Sequence, residues 1–542
     1  MPAHTAAERS RINLARWPRG AALLLTIPIC VLLLGLVRFY RRFIYSDASG
    51  TLWGLSDDMY ISACFGRSLF SGAGFVWYEG APKVEGISNP LWSVVLGALH
   101  RLPGFSEERL GLFVLSINAL LLAALVILFA RTAQRALGLR GGGMSRATLY
   151  ALSFATVLLL PWCWGLAYWS AEGFEVALLA VLTFVGFNLA LMPRTVWRCL
   201  LLGLVLVLGF ATRMDFVILA TAVLAVALGH NHGSRRQLLW TAAVGLLLAA
   251  ALLVLRHEYY GDYLPNTYYL KTTGWRLASR LHRGLRQNHA LLLSGGLAFW
   301  PLIIPAVRHN LGGTLPAVVS GLLGFGLAVL YSSYVGGDAW SLFAGYDRHT
   351  AAAAVLLCWS FALLISGAAR TWYMRSLCSL WCLLLLAAPI VTTNGVKQLQ
   401  RGLVAADSPV RSNERDWIHY GKVFREVSEP GARIAICPAG AIVYFSHRGG
   451  VDLLGKVEPI VSHLRVAEKR PRNMGCWRYA PGHNKGDDGR VYEAREPDFA
   501  RGKIPPSERG RYFRIKYNGS IFFVRKGTRL LKQELYPEGS RS

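Results

Sequence analysis

Charged residues are scarce in this chain of 542 residues. Only 16% are Asp, Glu, Lys or Arg, whereas 53% are hydrophobic and the mean hydropathy is +0.35. A soluble domain usually carries about 25% charged residues. The composition therefore excludes an ordinary soluble protein, and uncharged apolar runs of about 18 residues or more predict membrane-spanning helices.

Acidic residues are the scarcer of the two charge types. The chain has 58 Lys and Arg against 31 Asp and Glu, which gives a formal net charge of +27. In a soluble domain this excess would indicate nucleic-acid binding. Most of the positive charge, however, falls in short loops between apolar runs and in the C-terminal segment, residues 394–542. This placement favours the positive-inside rule and anionic lipid or phosphate partners, and we expect no nucleic-acid partner.

Cysteine motifs are also missing. The nine cysteines form no Cys-x-x-Cys pair and no zinc-type spacing, so we expect no metal–thiolate site. Cys437 and Cys476 are the only cysteines of the C-terminal segment. In an oxidising compartment they can pair, and two buried free thiols are the equal alternative. Because the first apolar run is long and lacks a small-residue cleavage site, we expect no cleavable signal peptide.

Long apolar runs, in contrast, are abundant, and they predict a polytopic α-helical membrane domain over residues 1–393 with about eleven spans. A further apolar piece, Leu91–Leu99, is too short to span and is interpreted as an interfacial or re-entrant helix. The predicted spans are Ala21–Val37, Leu110–Ala130, Thr148–Trp162, Glu175–Met192, Cys199–Ala211, Phe216–Leu228, Leu238–Leu255, Ala290–Val307, Leu315–Tyr334, Thr350–Ile365 and Leu377–Val391.

Arginines set the expected orientation. Counted from a cytoplasmic N-terminus, every short inner loop contains arginine, as the positive-inside rule requires. Arg38, Arg41 and Arg42 disagree, because they follow the first span on the outer side. With eleven spans, the C-terminal segment lies outside the cytoplasm. The protein is therefore expected to be a multi-pass membrane protein whose candidate site lies on the extracytoplasmic side.

The C-terminal segment changes in character, and we predict a small extracytoplasmic α+β domain. Asn518-Gly519 is a favoured two-residue turn and predicts a β-hairpin. The predicted elements are strands at Arg433–Cys437 and Val451–Gly455, hairpin strands at Tyr512–Tyr517 and Ser520–Arg525, and a helix at Glu414–Val427.

Two adjacent carboxylates, Asp57 and Asp58, follow the first span. Two carboxylates so close do not both ionise easily in a dry site, so one tends to hold a proton or a cation. This suits a general base for an acceptor hydroxyl or a metal site. The alternative is a helix cap, for which Asp is a favoured residue. Together with Asp338, the pair is a candidate site for a divalent cation, although no metal spacing supports it.

Other polar clusters fall on the same outer face and predict one site, since charge at membrane depth is costly. Arg213, Lys271 and Arg348 are candidates for binding a donor phosphate; the alternative is that each pairs with a carboxylate. Asparagine and aromatic side chains suit sugars, with turn formation and the interfacial aromatic belt as alternatives. The candidates for sugar and acceptor binding are Glu85, Asn89, Trp92, Glu175, Asp215, Asn266, Thr267, Tyr268, Asp338, His483, Asn484 and Lys485.

Ordered motifs along nearly the whole chain carry a resemblance to a known family. They are Ser56–Ser62, Gly72–Trp77, Val84–Trp92, Gly173–Glu175, Arg213–Asp215, Tyr260–Lys271, Gly336–Asp338, Asp452–Gly455 and Gly482–Lys485. In this order they resemble GT-C class glycosyltransferases that use polyprenyl-phosphate sugars, in particular the AftB-like terminal arabinofuranosyltransferases of the mycobacterial cell wall. The chain departs from the family pattern at Met214, where Pro is commoner, and at Phe174.

The resemblance implies a GT-C fold and an inverting transfer of a sugar to a cell-envelope glycan or glycoconjugate. It implies decaprenyl-phosphoryl arabinofuranose as the donor, and membrane lipid and the glycan acceptor as partners. It also implies that the reaction takes place on the outer side of a bacterial inner membrane. The base implied by the resemblance is an acidic residue of the first outer loop, which falls on Asp57 or Asp58, with a slight preference for Asp58.

Two other functions remain open from the sequence. A transporter or flippase of lipid-linked sugar would place its ionisable groups along a path at mid-membrane depth. Here they lie mostly at the outer ends of the spans, which argues against transport. A non-catalytic envelope scaffold gives no reason for acids and bases to gather on one face.

Overall fold

The computed structural model describes residues 19–47, 50–138, 165–229, 235–288, 315–339, 347–368, 376, 409–465, 481–486, 489–502, 504–532 and 534. These residues are mostly helical. The named helices are α1 Arg19–Tyr40, α2 Asp57–Ser71, α3 Pro90–Leu99, α4 Leu110–Gly138, α5 Val176–Leu191, α6 Val196–Thr212, α7 Phe216–Gly229, α8 Arg235–Tyr260, α9 Asn266–Thr272, α10 Leu315–Tyr334, α11 Arg348–Ala351, α12 Ala354–Ala368, α13 Pro409–Val427, α14 Ala441–Ser446, α15 Pro459–Ser462 and α16 Arg490–Arg495. Further helical stretches cover 165–171 and 277–288.

Among the described residues, seven strands form two sheets. They are β1 Ile44–Asp47, β2 Gly50–Trp53, β3 Arg433–Ile436, β4 Gly449–Asp452, β5 Phe499–Ala500, β6 Tyr512–Tyr517 and β7 Ser520–Arg525. β1 and β2 pair as an antiparallel hairpin directly after α1. The other five make one sheet in the C-terminal segment.

Within the part of the chain that the structure describes, three helical stretches are long and apolar enough to cross a membrane by length and composition: Glu107–Phe129, Arg236–Tyr260 and Leu315–Tyr334. Helices α3, α5, α6 and α7 are apolar but shorter. The predicted spans Thr148–Trp162, Ala290–Val307 and Leu377–Val391 lie outside the described residues. The number of eleven spans therefore stays a prediction.

Helices α2 and α3 approach until their backbones touch. A Cβ atom added at Gly66 would overlap the carbonyl of Ser93, and one added at Gly97 would overlap the carbonyl of Gly66. Near the N-terminal ends of the two helices, Ser62 Oγ donates a hydrogen bond to Asn89 Oδ1 at 2.8 Å. The close contact holds the first residues of both helices side by side.

The C-terminal sheet has the strand order β4-β3-β5-β7-β6. β3 lies parallel to β4 and β5, whereas β7 is antiparallel to β5 and β6. The predicted hairpin is confirmed: Tyr517 pairs with Ser520, and Asn518 and Gly519 between them have φ of 45° and 76°. Two positive φ angles are what a tight hairpin turn of this hand requires.

The second predicted strand ends earlier than expected. β4 stops at Asp452, and the Asp452 carboxylate accepts hydrogen bonds from the backbone N–H groups of Leu454 at 2.8 Å and Val457 at 2.7 Å. These bonds turn the chain and place Lys456 on the turn. The predicted boundary at residue 394 lies outside the described residues, as does Cys476, so both the boundary and the disulfide stay predictions.

Candidate active site

One cleft collects most of the polar residues singled out in the sequence. It encloses about 650 Å³ of empty space, part of it open to solvent. Its walls come from the N-terminal ends of α2, α3 and α11, from the turn before α7, from α9 and from the C-terminal segment. The predicted residues that line it are Asp58, Asn89, Glu175, Arg213, Thr267, Lys271, Asp338, Arg348 and His483.

The two adjacent aspartates have different surroundings. Asp57 is buried and does not line the cleft; its Oδ1 accepts the backbone N–H of Ala441 at 2.8 Å and that of Gly440 at 3.2 Å. Burial raises the pKa of the Asp57 carboxyl to about 6, although the charge of Lys456 and these N–H groups oppose the change. Asp57 thus joins α2 to the start of α14, which is the capping role weighed as the alternative.

Asp58 lines the cleft and forms an ion pair through Oδ1 with the ammonium group of Lys456. Burial raises the pKa of the Asp58 carboxyl, but the positive charges of Lys456 and Arg348 outweigh it and hold the pKa below its ordinary value. Within the described part of the chain, no hydrogen bond reaches Asp58 Oδ2. The group is therefore ionised at neutral pH and keeps one oxygen open to the cleft.

Arg213 lies between two carboxylates. It donates to Asp215 through Nε at 2.9 Å and Nη2 at 2.7 Å, and to Glu175 through Nη1 at 2.8 Å. Asn89 Nδ2 donates to the second oxygen of Glu175 at 2.8 Å. For Arg213 the structure thus contains the carboxylate pairing that the sequence left as the alternative to phosphate binding.

Arg348 and Lys271 are the other two cations that line the cleft beside Arg213 and Lys456. Arg348 Nε pairs with Asp338 Oδ2 at 2.7 Å, and its guanidinium lies 5.0 Å from the centre of the Phe174 ring. Lys271 Nζ is 3.3 Å from His349 Nε2. Burial, reinforced by the charge of Arg348, lowers the pKa of Lys271 to about 8.

His349 links Lys271 to the arginine cluster. Its Nδ1 is 3.1 Å from Asp215 Oδ2, and its pKa is lowered first by burial and then by the charge of Lys271. The neutral ring therefore donates from Nδ1 to Asp215 and accepts at Nε2 from the Lys271 ammonium. Asp215 does not line the cleft but fixes this arrangement.

Several predicted sugar-binding residues make protein contacts instead. Trp92 Nε1 donates to the Gly173 carbonyl at 2.8 Å, and buried Glu85 pairs with Arg256. These two and three others do not line the cleft, and they hold the surrounding loops. The three are Asn266, Tyr268 and Lys485. Asn266 accepts a hydrogen bond from Ser462 at 3.1 Å, and the Tyr268 hydroxyl lies 3.0 Å from the Tyr334 hydroxyl. Lys485 donates to the carbonyls of Tyr269 at 3.0 Å and Ser462 at 2.6 Å. Asn484, also predicted, is half-buried beside His483, outside the residues that line the cleft.

Sequence reasoning missed Lys456 and His349. Lys456 directly follows the Asp452–Gly455 motif, and His349 directly follows Arg348, so adjacency to a motif was the only available signal. Both pairings join residues far apart in the chain; Lys456 and Asp58 are 398 positions apart.

The candidate divalent-cation site is not assembled among the described residues, where no group of three metal-ligating side chains comes together. Asp57 contacts α14, Asp58 contacts Lys456 and Asp338 contacts Arg348. A role for a cation stays a prediction.

No family model matches the chain, and no curated protein matches its sequence. Among solved structures, the chain is similar to the crystal structure of ArnT from Cupriavidus metallidurans in the apo state. The TM-score is 0.48 and the sequence identity 12%, over 79% of this chain and 86% of that chain. We infer function from the cleft, because a likeness of this size does not decide what the chain does.

Proposed function

We propose that the protein is an inverting membrane glycosyltransferase, which moves a sugar from a polyprenyl-phosphate donor to an acceptor hydroxyl. One observation carries the proposal: Asp58 shares a cleft with Arg213, Lys271 and Arg348. A base for the acceptor and cations for the leaving phosphate are what this transfer needs. Helices long and apolar enough to cross a membrane supply the setting for a prenyl chain.

Asp58 is the proposed base. Its Oδ2 accepts the proton of the acceptor hydroxyl while the acceptor oxygen bonds to C1 of the sugar. The bond between C1 and the phosphate oxygen breaks, and the polyprenyl phosphate leaves with the electron pair. Attack on the face opposite to the leaving group inverts the configuration at C1.

The leaving phosphate gains one negative charge, and cationic side chains stabilise it. Arg213 donates to Glu175 and Asp215 through three nitrogens, whereas Arg348 pairs with Asp338 through Nε, so we assign direct phosphate contact to Lys271 and Arg348. Arg213 then contributes its charge and, through Asp215 and His349, the position of Lys271.

The finer identity follows the family resemblance of the motifs. We propose decaprenyl-phosphoryl arabinofuranose as the donor, a cell-envelope glycan or glycoconjugate as the acceptor, and reaction on the extracytoplasmic side of the bacterial inner membrane. Asn89, Thr267 and His483 are the lining residues proposed for contact with the sugar or the acceptor.

The test uses the full chain in detergent or nanodiscs, with radiolabelled decaprenyl-phosphoryl arabinofuranose and a synthetic arabinofuranoside acceptor. We expect an extended oligosaccharide with inverted anomeric configuration. Asp58→Asn should lower the rate by a factor of about 100 or more, because general-base catalysis typically contributes that much. The matched control is Asp416→Asn, at an exposed position of α13.

Two outcomes would contradict the proposal. Full activity of Asp58→Asn would remove the base assignment. Movement of the lipid-linked sugar across the bilayer of liposomes, with no glycosylated product, would favour the flippase. If polyprenyl phosphates bearing other sugars are used and arabinofuranose is not, only the donor identity changes.

A further inference from the structure

The adjacent aspartates Asp57 and Asp58 contact two different parts of the C-terminal segment. Asp57 accepts from the backbone of Gly440 and Ala441, and Asp58 pairs with Lys456. A Cβ atom added at Gly440 would overlap the backbone carbonyl of Asp57, so the two chain segments are in direct contact there. The same turn of α2 is thus bound twice by the segment that follows the membrane helices.

We propose that the C-terminal segment completes the active site: Lys456 is a positioning residue that orients the base Asp58, and Asp57 holds that segment in place. The inference rests on the proposed function, since it takes Asp58 as the base. It assigns separate tasks to the two aspartates and gives the C-terminal segment a part in the reaction.

The geometry supports a positioning role for Lys456. Its ammonium binds Oδ1 of Asp58, a residue that lines the cleft, and no hydrogen bond from the described residues engages Oδ2. Lys456 is buried, and it sits on the turn that Asp452 fixes through two backbone hydrogen bonds. A side chain held in this way selects one rotamer of Asp58, and a base must be held within a fraction of an ångström to accept a proton efficiently.

Other charged groups also face Asp58. Arg348 and His483 come from α11 and from residues 481–486, and Asp57 is its neighbour on α2. Lys456 in turn faces Asp57 and Asp452 besides Asp58. Removing the Lys456 charge therefore leaves Asp58 with Arg348 as its main cationic neighbour, which is already paired with Asp338.

The experiment follows kcat/KM against pH in the full chain with the same donor and acceptor. For Lys456→Met, the acid limb of the profile should move up by about 1 to 3 pH units, because an opposite charge lowers a carboxyl pKa by that amount. Lys456→Arg should restore most of the wild-type profile, since it keeps the charge. Lys516→Met, at an exposed position of β6 on the other edge of the sheet, is the control and should not move the limb.

Asp57→Ala tests the proposed role of Asp57 in holding the C-terminal segment in place. Loss of its carboxylate leaves the Gly440 and Ala441 N–H groups without their acceptor, so the melting temperature should fall by about 5 °C.

The outcomes separate the two proposals. Full activity of Asp58→Asn would contradict both the proposed function and this inference. An inactive Asp58→Asn with an unmoved acid limb in Lys456→Met overturns the inference alone. If the activity of Lys456→Met is too low for a pH profile to be measured, Lys456→Arg is the deciding variant. A shifted acid limb or a loss of activity in Lys456→Arg would overturn the inference. An unchanged melting temperature in Asp57→Ala removes the role of Asp57.

Discussion

At the scale of residues, the cleft balances its charges in pairs. Asp58 pairs with Lys456, Asp338 with Arg348, and Glu175 and Asp215 share Arg213. Buried ion pairs contribute little net stability, because desolvation offsets their attraction. Their main effect here is geometric, because each charged side chain is held in position before a substrate binds. The phosphate of the proposed donor then meets cations that do not have to reorganise.

Lys271 gives a prediction on pH. Because its pKa is lowered to about 8, the ammonium loses its proton as the pH rises through that value, and phosphate binding weakens. We expect kcat/KM to fall above pH 8 in the wild type. Lys271→Arg, whose guanidinium stays charged, should extend activity to higher pH. The measurement is kcat/KM between pH 6 and about 10.

Lys271→Met should raise the donor KM below about pH 8, where the wild-type side chain is charged, because the charge is gone while the side-chain volume is similar. Lys516→Met is again the control. An alkaline limb that persists in Lys271→Arg would show that another group causes it.

At the scale of elements, the cleft depends on how closely α2 and α3 pack. The contact at Gly66 and Gly97 leaves no room for a Cβ atom on either helix. Asp58 of α2 and Asn89 at the start of α3 both line the cleft, so the packing of the two helices fixes the distance between these two groups.

Gly97→Ala should therefore destabilise the protein and reduce activity. Overpacking of this kind costs about 1 to 3 kcal/mol of unfolding free energy, and separation of the helices displaces Asp58. The matched control is Gly326→Ala on α10, where an added Cβ meets nothing within 4 Å. Thermal unfolding and transfer rate are measured for both, and equal effects would contradict the argument.

At the scale of the whole molecule, the C-terminal segment is joined to the remainder at a second point. Arg67 of α2 donates to Glu107 at 3.0 Å and to the Tyr444 carbonyl at 2.8 Å, and His447 Nε2 lies 2.7 Å from Glu107. This junction and the Asp57 contact lie on the same helix. The proposed active site and the attachment of the C-terminal segment therefore share α2.

Glu107 gives a pH-dependent prediction at this scale. Burial raises the pKa of its carboxyl, but contacts with His447, Arg67 and Arg425 outweigh it and lower the pKa below the ordinary 4.5. A carboxyl with a lowered folded-state pKa contributes stability above its unfolded pKa and loses it as the pH falls through the folded value. Glu107→Gln should thus be less stable than the wild type at pH 7, by about 1 kcal/mol, and the difference should shrink below pH 4.

The measurement is the melting temperature of both proteins from pH 7 down to about 3.5. Glu108→Gln, the neighbouring carboxylate, is the control and should show a smaller difference. A difference between wild type and Glu107→Gln that stays constant with pH would contradict this account.

Part of this architecture follows from local sequence alone. The apolar runs predicted most of the helices among the described residues, and Leu315–Tyr334 matches α10 end to end. Asn518-Gly519 predicted its hairpin because few residues other than Asn and Gly tolerate positive φ. Composition and local turn chemistry decide such features, since they act over a few neighbouring residues.

Of the candidate site residues named from the sequence, nine line the cleft, whereas others such as Trp92 and Lys485 do not, and Lys456 was missed. The sequence did not determine their tasks. Which of Asp57 and Asp58 faces the cleft depends on the rotation of α2 against α14, and the partner of Asp58 comes from 398 positions away. Tertiary packing decided these roles, because a carboxylate becomes a cap or a base according to the groups that reach it, and those groups come from distant parts of the chain.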